Sequence, residues 1–212
     1  MLDYLKEQWA KLQGSDSNLH GVSHEVFQEL MQHYTEPERT YHNLDHIAHL
    51  LQTAETFKAR LIDYDALRMA IWFHDVIYNP LANDNEAESA DFAEKRLARL
   101  LMDENKIEKI KHLILATAHH TQVPTDGDSD TAFFLDFDLM ILGSDLETYK
   151  TYTRQIRKEY QAIPDLLYKP GRKRILQRFY DAKRLFKTEE FYLLYEVQAK
   201  ANLKWELHQL DS

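Results

Sequence analysis

Apolar residues recur along most of this chain at intervals of three and four, the spacing of one buried helix face. Leu2, Leu5, Trp9 and Leu12 predict a first helix over residues 1–13, broken by Gly14-Ser15-Asp16-Ser17. Ser23 suits the cap of a second helix running to Tyr34, with Val26, Phe27, Leu30 and Met31 inward. Thr35 to Arg39 reads as a turn, and Asn43 as the cap of a helix reaching about Phe57. A central helix is expected from Asp65 to Tyr78, stopped by Asn79-Pro80. Asn85 with Glu88, and Asn105 with Glu108, have the spacing of capping boxes. The first opens a helix through Leu101 that turns Ala90, Ala93, Leu97, Leu100 and Leu101 inward; the second opens one ending near His119-His120. Ser144 and Glu147 suit the start of a helix to about Ala162, and Ile163 to Gly171 reads as a break. Arg172-Lys173-Arg174 then opens a helix burying Ile175, Leu176, Phe179 and Phe186. Thr188 caps a last helix to about His208, with Phe191, Leu194, Tyr195 and Leu203 inward and Asn202 unremarkable. No repeat or linker interrupts the series, so one all-α domain is expected over residues 1–212.

Two segments break the pattern. From Ala66 to Tyr78 the chain is apolar almost all the way round a helix, except for Arg68, yet it carries His74 and Asp75 side by side. Buried charges need a partner or a metal, so the pair reads either as metal ligands or as a hydrogen-bonded helix end. The run from Ala132 to Leu142 likewise carries Asp136 and Asp138, at a cost of several kcal/mol unless paired, hydrogen-bonded or metal-bound. Their alternation with Phe137 fits a strand. The helical surroundings favour a short buried helix ended by Gly143. The polar loop from Gln122 to Asp130 has the aspartates of a calcium loop but not the EF-hand order, and reads as solvated.

Composition narrows the function classes. The chain has 212 residues, 44% of them hydrophobic, and no apolar run near the roughly 18 residues of a membrane helix. The first nine residues alternate charge and hydrophobe, unlike a signal peptide, so a cytoplasmic location is expected. Without cysteine there is no disulfide, thiolate ligand or Cys nucleophile. A net charge of −9 argues against general nucleic-acid binding. A homodimer is left open. Eleven histidines are many for this length, and their positions matter more than their number.

His42 and His46 are four apart at the predicted start of the helix capped by Asn43, so both can face one site, with His49 near the same face. Added to His74, Asp75, His119, His120, Asp136 and Asp138, they make a mixed nitrogen and oxygen donor set suited to Mn, Fe, Zn, Ni, Co or Mg, tilted by its imidazoles toward a transition metal.

The ordered series His, His-Asp, Asp in an all-helical chain resembles the HD-domain superfamily of metal-dependent phosphohydrolases. Tyr41-His42-Asn43-Leu44-Asp45-His46 resembles the Tyr-His-Asn-x-x-His motif of cyclic-nucleotide phosphodiesterases in that superfamily. Phe73 to Tyr78, Asn85 to Ala90 and Asp136 to Gly143 resemble a bacterial group of predicted HD phosphohydrolases, the likeness spanning most of residues 25–205. The resemblance implies a single HD-type helical bundle with its metal core at about 40–142. It assigns His46, His74, Asp75 and Asp138 as ligands, Asp138 being preferred to Asp136 because an apolar Leu follows it. It makes His42 the general acid. Glu86 is a candidate base or acceptor, or simply a favourable acid at a helix N-terminus. His119 and His120 stand where some members hold a second ion, or else they contact substrate phosphate. The implied activity is hydrolysis of a nucleotide or other small phosphate ester. The alternatives are a non-catalytic nucleotide- or metal-binding regulatory module and a di-iron oxygenase on the same fold. Cyclic nucleotides are disfavoured, because no further His follows the pair where those phosphodiesterases have one. Arg154, Arg157, Lys158, Arg172, Lys173 and Arg174 are the candidate phosphate-binding cations.

Overall fold

The computed structural model describes residues 1–12, 19–122 and 129–211. The Gly14-Ser15-Asp16-Ser17 break and most of the acidic loop after Gln122 lie outside them. The described elements are all helical: α1 (Leu2–Ala10), α2 (His20–Tyr34), α3 (Leu44–Thr56), α4 (Tyr64–Phe73), α5 (Asn85–Arg99), α6 (Glu104–Ala116), α7 (Ser129–Leu139), α8 (Leu146–Glu159), α9 (Asp165–Asp181) and α10 (Glu189–Leu210), with short 3-10 turns at Lys58–Arg60, Thr117–His119 and Met140–Gly143. None of these helices is long and apolar enough to cross a membrane. They fall into two compact units, Met1–Ala118 and His119–Ser212.

In the first unit α4 packs against α3, α5 and α6. Every residue of α4 from Ala66 to Phe73 is buried, Arg68 included. The Arg68 guanidinium donates to the Gln8 carbonyl at 2.7 Å, so its charge leaves the helix axis for a partner on α1. Trp9 and Phe27 meet Trp72 edge-on at 5.6 and 6.0 Å. Ser23 does not cap α2, which begins at His20. Its buried hydroxyl accepts from the Trp9 indole at 3.0 Å instead.

The predicted capping boxes are displaced. Asp103, not Asn105, caps α6 by accepting from the amides of Asn105 and Lys106. Asp145, not Ser144, caps α8 by accepting from Glu147 and Thr148. Asn85 caps nothing: its side chain accepts from the Asn79 amide at 2.9 Å and donates to the Asn79 carbonyl at 3.0 Å. It therefore ties the start of α5 to the loop before it. Asn43 and Thr188 do cap α3 and α10.

In the second unit α10 packs against α9 and the Met140–Gly143 turn. Gly143 is required there because an added Cβ would lie 2.5 Å from the Tyr195 Cβ. Asn202 is buried and donates to the carbonyls of Leu142 and Ser144, each at 2.8 Å. The expected break at Ile163 to Gly171 is present only at its start, with α8 ending at Glu159 and α9 beginning at Asp165. Pro164 caps α9, which runs through Pro170. Proline removes one helical bond, but buried Tyr168 and the Arg172–Glu206 ion pair, at 2.8 Å, anchor the helix on both sides. Phe186 is buried but lies beyond α9, while Ile175 and Leu194 are exposed rather than inward.

Leu101, expected in the core, is 75% exposed with a φ of 54°. Its amide bonds the Ala98 carbonyl at 3.0 Å and Met102 reaches back to Leu97 at 3.2 Å. This is a Schellman termination that favours glycine. Leu101→Gly removes the left-handed strain without losing packing. It should stabilise the protein by about 0.5–1 kcal/mol, read as a raised urea midpoint with an unchanged slope.

Candidate metal centre

Helix α4 ends at Phe73, five residues before the sequence pattern suggests. It ends inside apolar surroundings, where its last carbonyls cannot be left to water. Each finds a donor. His74 N bonds the Ala70 carbonyl at 2.9 Å and Val76 N bonds that of Phe73 at 3.2 Å. The Tyr34 hydroxyl donates to the Trp72 carbonyl at 3.0 Å. Burial, and then the nearby Asp75 charge, push that hydroxyl well above its ordinary pKa, so it stays a donor. The Ile71 carbonyl takes the fourth bond, from the His74 ring Nδ1 at 3.0 Å.

This last contact sets the chemistry of the site. A carbonyl can only accept, so Nδ1 carries a proton, and in the neutral imidazole Nε2 then presents its lone pair on the opposite side of the ring. That Nε2 lies 3.0 Å from Asp75 Oδ2 and 3.3 Å from His46 Nε2. His46 Nε2 is 3.8 Å from the same carboxylate oxygen. His46 and His74 are buried and Asp75 is half-buried. The three atoms converge on one point from the first turn of α3 and the end of α4, and the group could hold a metal ion. Ligands about 2.0–2.2 Å from a common ion, tetrahedrally arranged, lie about 3.3–3.6 Å apart, and the three separations, 3.0, 3.3 and 3.8 Å, scatter about that range. The Nδ1–carbonyl bond of His74 is the outer-sphere contact that metal-binding histidines make.

The remaining candidates divide between the units. His42 precedes α3, half-buried, with its ring 4.3 Å from Tyr78 and 5.9 Å from His46. Glu86 is in the first turn of α5, half-buried, and is not among the three converging residues. His49 is exposed. In the second unit the two neighbouring histidines part company. His119 is exposed, whereas His120 Nε2 lies 2.9 Å from Asp138 Oδ2. Arg172 is not available to an incoming phosphate, being buried in its bond to Glu206, and Arg157 is held by Asp165 and two carbonyls.

Asp136 has a separate task. Its carboxylate accepts from the amides of Lys187 and Thr188 at 2.6 and 2.7 Å and from the Thr188 hydroxyl at 2.7 Å. It therefore organises the chain entering α10. Burial pushes its pKa up to about 6, while those donors pull the other way.

Arg39, which the sequence places in a plain turn, is the residue that pattern reading misses. Its buried guanidinium donates to the carbonyls of Asp75 and Val76, the latter at 2.8 Å, and to Glu36 at 2.9 Å. It lies over the rings of Tyr34 and Tyr78, 5.2 and 5.6 Å from their centroids. The planar fork thus fixes the two peptide units that follow Asp75. A sequence offers one signal, an arginine between tyrosines shortly before the histidine motif, and that signal names no target.

A scan against protein-family models, a search of curated proteins and a search of solved structures find no match.

Arg39→Met should cost about 3 kcal/mol, because two inward carbonyls lose their donors; thermal melts followed by circular dichroism would show it, with Arg39→Lys recovering part. For Asp136 the folded value lies above the unfolded one, so protonation favours the fold. Its contribution is complete below about pH 4 and lost as pH rises through about 6, a span worth about 3 kcal/mol. Urea titrations from pH 4 to 7 should show that component in the wild type and not in Asp136→Asn.

Proposed function

We propose that this protein is a metal-dependent phosphohydrolase acting on a nucleotide or another small phosphate ester, with His46, His74 and Asp75 holding the ion. One observation carries the reading. His46 Nε2, His74 Nε2 and Asp75 Oδ2 converge at 3.0–3.8 Å, a group that could hold a metal ion, and the His74 Nδ1 bond to Ile71 turns the His74 Nε2 toward it. The residue order, with Tyr-His-Asn-x-x-His ahead of the pair, supports the HD-type assignment.

A divalent ion bound there would act as a Lewis acid toward a phosphoryl oxygen and make water nucleophilic near neutral pH. The chain's own groups supply the rest. Arg39 and Tyr34 hold the ligand-bearing turn in one geometry before substrate arrives. The Nδ1 bond prevents the His74 ring from flipping. His42, whose ring lies against Tyr78, would give a proton from a ring nitrogen to the departing oxygen. Glu86 is the candidate acceptor for a proton from water.

The test is purification without added metal, elemental analysis, and a panel of nucleotides and simple phosphate esters assayed with Mn, Mg, Co and Ni. Asp75→Ala and His74→Ala should each abolish stoichiometric metal and lower turnover by more than about 100-fold, since even outer-sphere partners are worth 10–100-fold in affinity or activity. Phosphate release that survives in a metal-free Asp75→Ala protein would overturn the proposal. Stoichiometric metal with no turnover on any substrate would favour the regulatory binding module.

A further inference from the structure

Helix α10 is apolar on two opposite faces. Phe191, Ala199, Asn202 and Leu203 are buried on one. Leu193, Leu194 and Val197 are 73%, 65% and 85% exposed on the other, joined by exposed Ala201. A helix that is apolar all round is normally covered all round, and contiguous exposed apolar side chains rimmed by charge mark an interaction surface. Lys200, beside this stripe, does not interrupt it. Its ammonium turns away to the carbonyls of Phe179, Tyr180 and Ala182 at 2.9, 2.8 and 2.6 Å.

The charges at the two ends of the stripe identify its occupant. Glu190 lies seven residues before Val197 and exposed Lys204 lies seven after. Seven residues are about two helical turns, so both fall close to the line through Val197. We infer that this face joins two copies of the chain, their α10 helices antiparallel about a two-fold axis at Val197. In that arrangement Glu190 of each copy faces Lys204 of the other, Val197 meets Val197, and Leu193 packs over the small Ala201. An isologous contact needs one surface complementary to itself, and the opposite charges equidistant from Val197 provide it. A parallel pairing would oppose Glu190 to Glu190 and Lys204 to Lys204. One helical stripe buries little area for an interface, so the dimer is weak and concentration-dependent. The inference requires nothing of the metal site.

Sedimentation velocity over a concentration series tests it, with circular dichroism to verify folding. The wild type should shift from monomer to dimer. Val197→Glu should raise the dissociation constant by at least about tenfold. Ile62→Glu, a charge on an exposed residue of the other unit, should leave it unchanged. Glu190→Lys alone and Lys204→Glu alone should each weaken the dimer, and the double exchange should restore it. A wild type that stays monomeric to about 1 mM overturns the inference, as does a dimer insensitive to Val197→Glu. Failure of the double exchange to restore dimerisation overturns the antiparallel register. A partner helix of another protein, or a lipid surface, would leave the purified wild type monomeric.

Discussion

A helix that ends inside an apolar core must find donors for its last carbonyls, and the first unit is arranged around that requirement. Tyr34 from α2, the His74 ring, the backbone of His74 and Val76, and just beyond them Arg39, all serve the segment after Ala70. Their joint effect is chemical as well as structural. By spending the Nδ1 proton of His74 on a carbonyl, the fold turns Nε2 into a fixed acceptor aimed at His46 and Asp75. The side-chain triad is the outward face of a backbone that has been fully satisfied from behind.

The second unit meets a similar requirement with carboxylates. Asp136 takes the amides of Lys187 and Thr188, and Glu196 takes those of Leu185 and Phe186 at 3.0–3.1 Å. Four successive amides ahead of α10 are thus held by two buried acids. Asp138, two residues on, lies on another side of α7 and meets His120 instead. Neighbouring aspartates in one apolar run have separate uses because a helix turns by about 200° between them.

Much of this was legible in the sequence. The intervals of three and four gave the all-α class, and the caps at Asn43 and Thr188 lie where local chemistry placed them. The reading erred where several polar residues adjoin. At α6 an aspartate two residues earlier, and at α8 an aspartate one residue later, caps the helix, because the choice depends on which residue leaves helical dihedrals first. Pro170 misled because tertiary anchors outweigh a single lost bond. The His46, His74 and Asp75 grouping could be named from the motif. Arg39, Tyr34 and Asn202 could not, since each acts on main-chain carbonyls 36 to 60 residues away. Main-chain acceptors carry no signature in the residue alphabet.

The Arg39 fork also has a dynamic consequence. Ordinary helix ends fray on their own, opening to solvent at little cost. Here, releasing residues 74–76 requires withdrawing a guanidinium from between two tyrosine rings and baring carbonyls in an apolar interior. The end of α4 therefore opens only with the unit that surrounds it. Whatever binds at His74 and Asp75 is coupled to the cooperative folding of the whole first unit rather than to the local motion of a loop.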